Sequence, residues 1–213
     1  ITAFMLNRPQ QIVAPSSFTT DGDFFDVGVD LDDIYVITKR TVSSATKYYV
    51  ELFDEDRTTD AAIQYYNSPA SPDQALPGSA TAGSLSHLEG KTVKVIRDDI
   101  VDTDQTVSSG QVTLGGTPTS YAEVGLDYTV TVKTQPFEPR LSSGAVQSQR
   151  RRILEVSPVL FRTQNITING REVPLQSLPL SGAGGVTNFS GVKKTQGFLG
   201  YDRDAQIKIS QSK

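Results

Sequence analysis

Apolar residues in this chain recur at every second position, and a sustained stripe at every third or fourth is nearly absent. That spacing confines most of the chain to strands. Phe25, Val27 and Val29 alternate with Asp26, Gly28 and Asp30, after which Asp32 and Asp33 turn the chain into Ile34 to Thr38. Beyond Ser43, Ser44 and Ala45, the run Tyr48 to Phe53 supplies a third strand, aromatic and β-branched as pleated surfaces favour. Three such strands joined by tight turns predict an antiparallel meander, either propeller-like or the edge of a sandwich. One segment departs from the pattern. Thr58 to Tyr66 predicts a short helix, with Thr58 or Thr59 as its cap and Asp60 in its first turn.

From Asn67 to Ser84 the chain is dominated by Ser, Pro, Ala and Gly, which bury too little surface to order themselves. The stretch predicts a linker and the main domain boundary. Residues 1–66 then form the meander at the end of a propeller-like domain, and residues 85–213 a second β domain, a barrel or a sandwich. In that second part Val93 with Val95, Val112 with Leu114, and Tyr128 with Val130 and Val132 each share a strand face. Ile153 to Phe161, Gln164 to Ile168 and Gln206 to Ser210 read as further strands, and Asn169-Gly170 is a hairpin turn signal. Ser181 to Asn188, rich in Gly and Ser, predicts a loop between strands. The fold class expected is mainly β, without a fixed-period repeat.

Burial in 213 residues with no Cys and no Trp has to come from Val, Ile, Leu, Phe and Tyr, which excludes a disulfide scaffold and a thiolate metal site. The formal net charge of -4 argues against a surface that grips nucleic acid throughout. Apolar runs fall far short of the roughly 20 residues that span a bilayer, so no stable membrane insertion is expected. His87 is the single histidine, so a triad would have to be built around it and a multi-histidine metal site is impossible. The bland reading of His87, a partly buried residue before the Val93 strand, is preferred. No GxSxG elbow, P-loop or HExxH is present, and neither a catalytic residue nor a cofactor is assigned.

Two acidic groups invite a calcium reading: Asp54, Glu55, Asp56 with Asp60, and Asp98, Asp99, Asp102 with Asp104. Neither has the alternating ligands and central Gly of an EF-hand loop, and both read as solvated turns, so no metal is assigned. Arg150, Arg151 and Arg152, with Arg140 upstream and Arg162 downstream, are candidates for contact with DNA phosphates or an acidic neighbouring subunit. The plainer alternative is a charged strand approach that discourages edge-to-edge pairing. The sequons at Asn165 and Asn188 are discounted as chance tripeptides.

One segment is more specific: Leu85-Ser86-His87-Leu88-Glu89-Gly90-Lys91-Thr92-Val93-Lys94-Val95, followed by Asp98 and by Gly110 to Leu114. It resembles a stretch of the tail nozzle, or tail tubular protein B-like, family of short-tailed bacteriophages. The likeness extends upstream through Thr19 to Val42 and Lys47 to Phe53, and downstream through Tyr121 to Glu138 and Arg150 to Gly170. It continues more loosely over Gly191 to Ser210. Asp127 departs from the family's usual Pro, and residues 169–188 carry no role by analogy.

The resemblance implies a structural, non-enzymatic component of the virion tail. It implies a homo-oligomeric, hexameric ring at the distal end of the tail, with DNA passing transiently along its axis. Adaptor and fibre proteins are the implied partners, and no cofactor is implied. His87, Leu88, Glu89, Gly90, Lys91, Thr92 and Val93 are the motif residues, with a structural role. Family members are much longer, so the chain is expected to be their C-terminal part, in keeping with Ile1 standing in place of an initiator Met. The rival functions are a virion carbohydrate- or receptor-binding module and, less favoured, a cell-wall hydrolase.

Overall fold

The computed structural model describes residues 1–7, 12–54, 56–67, 69, 73–136, 150–175, 188–198 and 200–212. These are mainly β, in several separate sheets without a closed barrel among the described residues. No helix among them is long and apolar enough to cross a membrane. The chain divides into two compact units, Ile1–Tyr128 and Thr129–Lys213.

The first unit opens with β1 (Thr2–Asn7) paired to β2 (Ile12–Ser17). The predicted meander follows as β3 (Asp23–Asp30), β4 (Asp33–Val42) and β5 (Ala45–Leu52), antiparallel throughout. Ser43 and Ser44 both adopt positive φ, 50° and 65°, the backbone that a two-residue turn between twisted strands needs. Val36, Thr38, Arg40 and Val42 line the buried face of β4, and the intervening residues face away.

Next along the chain come β6 (Asp60–Tyr66), β7 (Gln74–Ala75), β8 (Thr81–Ala82), β9 (Thr92–Arg97), β10 (Ile100–Val101), β11 (Gln105–Thr106), β12 (Val112–Thr113) and β13 (Tyr121–Leu126). Their larger sheet runs β10-β9-β13-β6-β7, with β11 also on β9, while β12 pairs β8. Tyr65, Ala122, Val124, Val93 and Val95 from this sheet pack with Ala82, Leu85, Leu88, Val112 and Leu114 as one buried core.

Two expectations are corrected here. Thr58 to Tyr66 is not a helix, because residues 60–66 form β6, inserted between β13 and β7. Ala61 sits at φ 51°, incompatible with a right-handed helix, and the hydroxyls expected to cap one are bonded to Glu123 instead. The stretch 67–84 is likewise no spacer between domains in its described part. It supplies β7 and β8, buries Ala82 completely, and lies within the first unit, whose boundary falls after Tyr128.

The second unit contains β14 (Thr129–Lys133), β15 (Glu155–Val156), β16 (Val159–Thr163), β17 (Thr167–Ile168), β18 (Arg171–Glu172), β19 (Phe189–Val192), β20 (Thr195–Gln196) and β21 (Lys208–Ser212). One sheet runs β14-β21-β17-β18, and β15-β20 and β16-β19 are two-stranded ribbons. The single strand expected over Ile153 to Phe161 is divided by Ser157-Pro158, since Pro has no ladder donor. Asn169-Gly170 is the expected turn, with φ of 49° and 80° joining Ile168 to Arg171. Val156, Ile166, Ile168, Val173, Leu175 and Phe198 form this unit's own core. Residues 181–187 of the expected Gly/Ser loop, and Arg140, lie outside the described residues.

Arg40 ties the meander to the larger sheet of the first unit. From the buried face of β4 its Nε and Nη2 donate to both Glu51 carboxylate oxygens at 2.9 and 2.8 Å. Its Nη1 donates to the Asp21 carbonyl at 2.7 Å and to Asp60, the first residue of β6, at 3.3 Å. Burial opposes the charge on Arg40, but the two carboxylates outweigh it and raise the guanidinium pKa. Replacing Arg40 by Met leaves Glu51 and Asp60 without their common cation, at an expected cost of about 3 kcal/mol. Seven of the eight tyrosines lie in Ile1–Tyr128 and there is no Trp, so urea unfolding followed by tyrosine fluorescence reads this unit. An unchanged midpoint contradicts the role given to Arg40.

Candidate functional site

The motif residues 87–93 build a clasp. Ser86–Leu88 is a single 3-10 turn that seats Leu88 in the core, and Gly90 follows at φ 76°. A main-chain ladder joins this segment to the 107–110 segment: Leu85 N donates to Gly110 O, Gly90 N to Val107 O, and Val107 N to Lys91 O, each at 3.0 Å. The Glu89 carboxylate then accepts from the amides of Ser109 and Gly110 at 2.8 and 2.6 Å. Those two residues have φ of 56° and 67° and form the turn between Ser108 and Gln111, so Glu89 holds a strained hairpin tip from outside.

The remaining motif side chains anchor the clasp to its surroundings. His87 Nε2 lies 2.9 Å from the Ala61 carbonyl, a contact that requires the proton on Nε2, and its ring meets Tyr49 edge-on at 6.3 Å. Lys91 pairs with Asp21 at 2.7 Å. Thr92 opens β9 with its side chain exposed, and Val93 is buried and faces Gln105 across β11. His87 thus has the structural surroundings of its bland reading.

A second constellation escaped sequence reasoning. Glu123 is fully buried at the middle of β13, where five donors converge on its carboxylate. Thr58 N (2.9 Å), Thr58 Oγ1 (2.7 Å) and Thr59 Oγ1 (2.7 Å) donate to Oε1. Gln64 Nε2 (2.7 Å) and the Tyr121 hydroxyl (2.5 Å) donate to Oε2. Gln64 is directly opposite Glu123 across the β6–β13 pair, and Tyr66 opposite Tyr121, with rings 5.4 Å apart. Tyr66 in turn donates to Gln64 Oε1 at 2.6 Å, fixing which end of the amide faces the carboxylate. The available signal was a lone Glu within Tyr121 to Leu126, a run otherwise free of charge.

Gly125 is required beside this network. The strand bulges between Val124 and Leu126, and a Cβ at Gly125 would overlap the Thr59 hydroxyl and crowd the Asp60 carbonyl.

The acidic groups are drawn to separate partners. Asp54 pairs with Arg57, Asp60 with Arg40, Asp102 with Arg97 and Asp104 with Lys94. Glu55 lies outside the described residues. Asp98 instead accepts from the amides of Thr119, Ser120 and Tyr121 and from the hydroxyls of Thr119 and Ser120, all within 3.1 Å. It stands with Asp99 at φ of 47° and 68° in the turn from β9 to β10, so this carboxylate locks a second hairpin tip to a distant loop.

The arginine run does not form one patch. Arg151 exchanges main-chain hydrogen bonds with Asp202 at 2.7 and 2.8 Å, and its side chain lines a cavity of about 220 Å³ in the second unit. Arg150 is exposed, and Arg152 Nε donates to the Phe198 carbonyl at 3.2 Å.

Burial pushes the Glu123 carboxyl upward, but donation from Gln64, Tyr121, Thr58 and Thr59 outweighs it and holds the pKa below the usual 4.5. For Asp98 burial is the largest single influence and pushes upward, but the amides of Ser120, Thr119 and Tyr121 with the Ser120 hydroxyl together outweigh it, leaving the carboxyl well below 3.8. Both groups therefore contribute stability that is complete above the unfolded-chain values and is lost as pH falls through the lower folded values. The urea midpoint of the first unit is expected to hold from pH 7 to about 5 and to fall between about 4.5 and 2. Glu123→Gln should lower the neutral midpoint, by opposing an amide donor to existing donors, and should flatten the acid slope. An identical slope in that variant contradicts the assignment.

No family model matches the chain, and no curated protein matches it.

Proposed function

We propose that this chain is a structural component of a short-tailed phage tail, part of the tubular nozzle through which DNA leaves. The observation that carries the reading is the spatial unity of the residues that bear the resemblance. Leu85 to Val95 and Gly110 to Leu114, separate in sequence, form one clasp over one core, with Leu85, Leu88, Val93, Val95, Val112 and Leu114 buried together. The motif accordingly specifies a rigid β unit, with His87, Glu89 and Lys91 each anchoring a turn or a neighbouring segment. Rigid β walls with an acidic balance suit a conduit for a polyanion, because they limit adhesion to it. In this reading copies of the chain stand in a ring, six by the resemblance, beside adaptor and fibre proteins.

The carbohydrate-binding alternative draws on the cavity of the second unit. Tyr201 and Phe198 border it together with Asn169, Gln206, Asp202 and Arg151, a mixture of aromatic and planar polar side chains that suits a sugar ring.

Immunogold electron microscopy of purified virions, with antibody raised against residues 1–213, tests the leading reading. Label at the distal end of the tail is expected, and virions that carry none of the chain would refute it. Glycan-array binding that Tyr201→Ala abolishes would favour the alternative.

A further inference from the structure

The distal half of the β3–β4 hairpin leaves bare the face that its base buries. Val36, opposite Val27, is 3% exposed, whereas Val29, one step further out on the same face, is 70% exposed. Val27 and Ile34 share that bare face. At the tip stands Leu31, 93% exposed and at φ 54°. A leucine in left-handed backbone costs about 1–2 kcal/mol, and within the described residues of the first unit this one covers no apolar neighbour. Residues 26–33 carry Asp26, Asp30, Asp32 and Asp33 and no cation. The hairpin is an apolar finger with an acidic rim.

The second unit carries a surface of opposite character. On the β16–β19 ribbon Val159 and Phe161, two residues apart, are each 80% exposed, and Val192, opposite Val159, is exposed as well. Arg162 and Lys193 adjoin them, with Lys194 beside them paired to Glu155 at 2.7 Å, and neither strand of the ribbon contains a carboxylate. The ribbon is an apolar seat with a basic rim. Patches of this kind mark interaction sites, and opposed rims select the partner and its register.

We propose that the β3–β4 finger of one copy docks on the β16–β19 seat of a second copy. This deepens the structural reading above, and rests on it for copies of the chain standing side by side. The match of an acidic finger to a basic seat favours a second copy over a membrane, since an anionic lipid surface would repel the four aspartates. Every copy then offers one finger and one seat. The contact is heterologous, so copies join head to tail and either close into a ring or continue as a filament.

Charge reversal on the 213-residue chain tests this by sedimentation velocity. The wild type is expected to self-associate, more weakly as salt rises from roughly 50 to 500 mM. Asp30→Lys with Asp32→Lys reverses the finger, and Lys193→Glu with Lys194→Glu reverses the seat. Each double variant should associate at least about tenfold more weakly, and an equimolar mixture of the two should recover association because every finger again meets a seat of opposite sign. Leu31→Ser, which leaves the charges in place, should also weaken association, and it serves if a reversal variant loses its circular dichroism spectrum. Association that neither reversal nor Leu31→Ser weakens overturns the inference while leaving the structural reading intact, the copies then meeting elsewhere. Loss in both reversal variants without recovery in the mixture also overturns the pairing. A wild type that remains monomeric to about 100 µM overturns the inference, while the structural reading is judged separately by the label on the virion tail.

Discussion

A buried carboxylate that forms no ion pair among the described residues is tolerable only when nearly all of its hydrogen-bonding capacity is met, and Glu123 meets that demand with five donors. The donors come from three places: the loop at Thr58-Thr59, the facing strand at Gln64, and β13 itself at Tyr121. Satisfying the carboxylate therefore fixes the entry to β6, the register of β6 on β13, and the rotamers of two tyrosines and a glutamine. Other arrangements leave a charge or a hydroxyl unpaired in the interior. The apolar side of the same sheet holds the larger core, but apolar contact alone does not set register so narrowly.

The meander was legible because β3, β4 and β5 are joined by two-residue turns and alternate in composition, so local sequence contains nearly all that decides them. Asn169-Gly170 was legible for the same reason. Thr58 to Tyr66 was misread because its state is decided by Glu123, which lies 65 residues from Thr58. No local window holds that partner. The Ser/Pro/Ala stretch after Asn67 was misread for a related cause, since two-residue strands are too short for alternation to register, yet β7 pairs back onto β6 and β8 pairs with the distant β12. The clasp lay halfway between these cases. Its residues stood out as a motif, but that Glu89 serves the amides of Ser109 and Gly110 is visible only once the segments meet.

The acidic residues show how poorly clustering in sequence forecasts chemistry. Asp98, Asp99, Asp102 and Asp104 look like an oxygen cage, but a strand and its turn send them in different directions. Asp98 closes on amides, Asp102 pairs with Arg97, and Asp104 pairs with Lys94. Arg150 to Arg152 behave likewise, since an extended backbone turns successive side chains to opposite sides. Asp98 and Arg152 each hold a loop of their own chain, the one through amides and the other through the Phe198 carbonyl.

The contrast between the near-adjacent pairing of the meander and the long-range closure of β6 on β13 also orders the folding reaction. Hairpins that close over two residues form early, whereas strands brought together across some sixty residues must first overcome a large loop-closure entropy. Glu123 adds to that delay, because its desolvation is compensated only when all of its donors have arrived. The three-stranded sheet, whose outer strands β3 and β5 have no further strand partner among the described residues, is thus formed while the larger core is still open. Newly made chains pass through their most adhesive state before they are complete, and crowding at synthesis is the condition under which this protein is most exposed to aggregation.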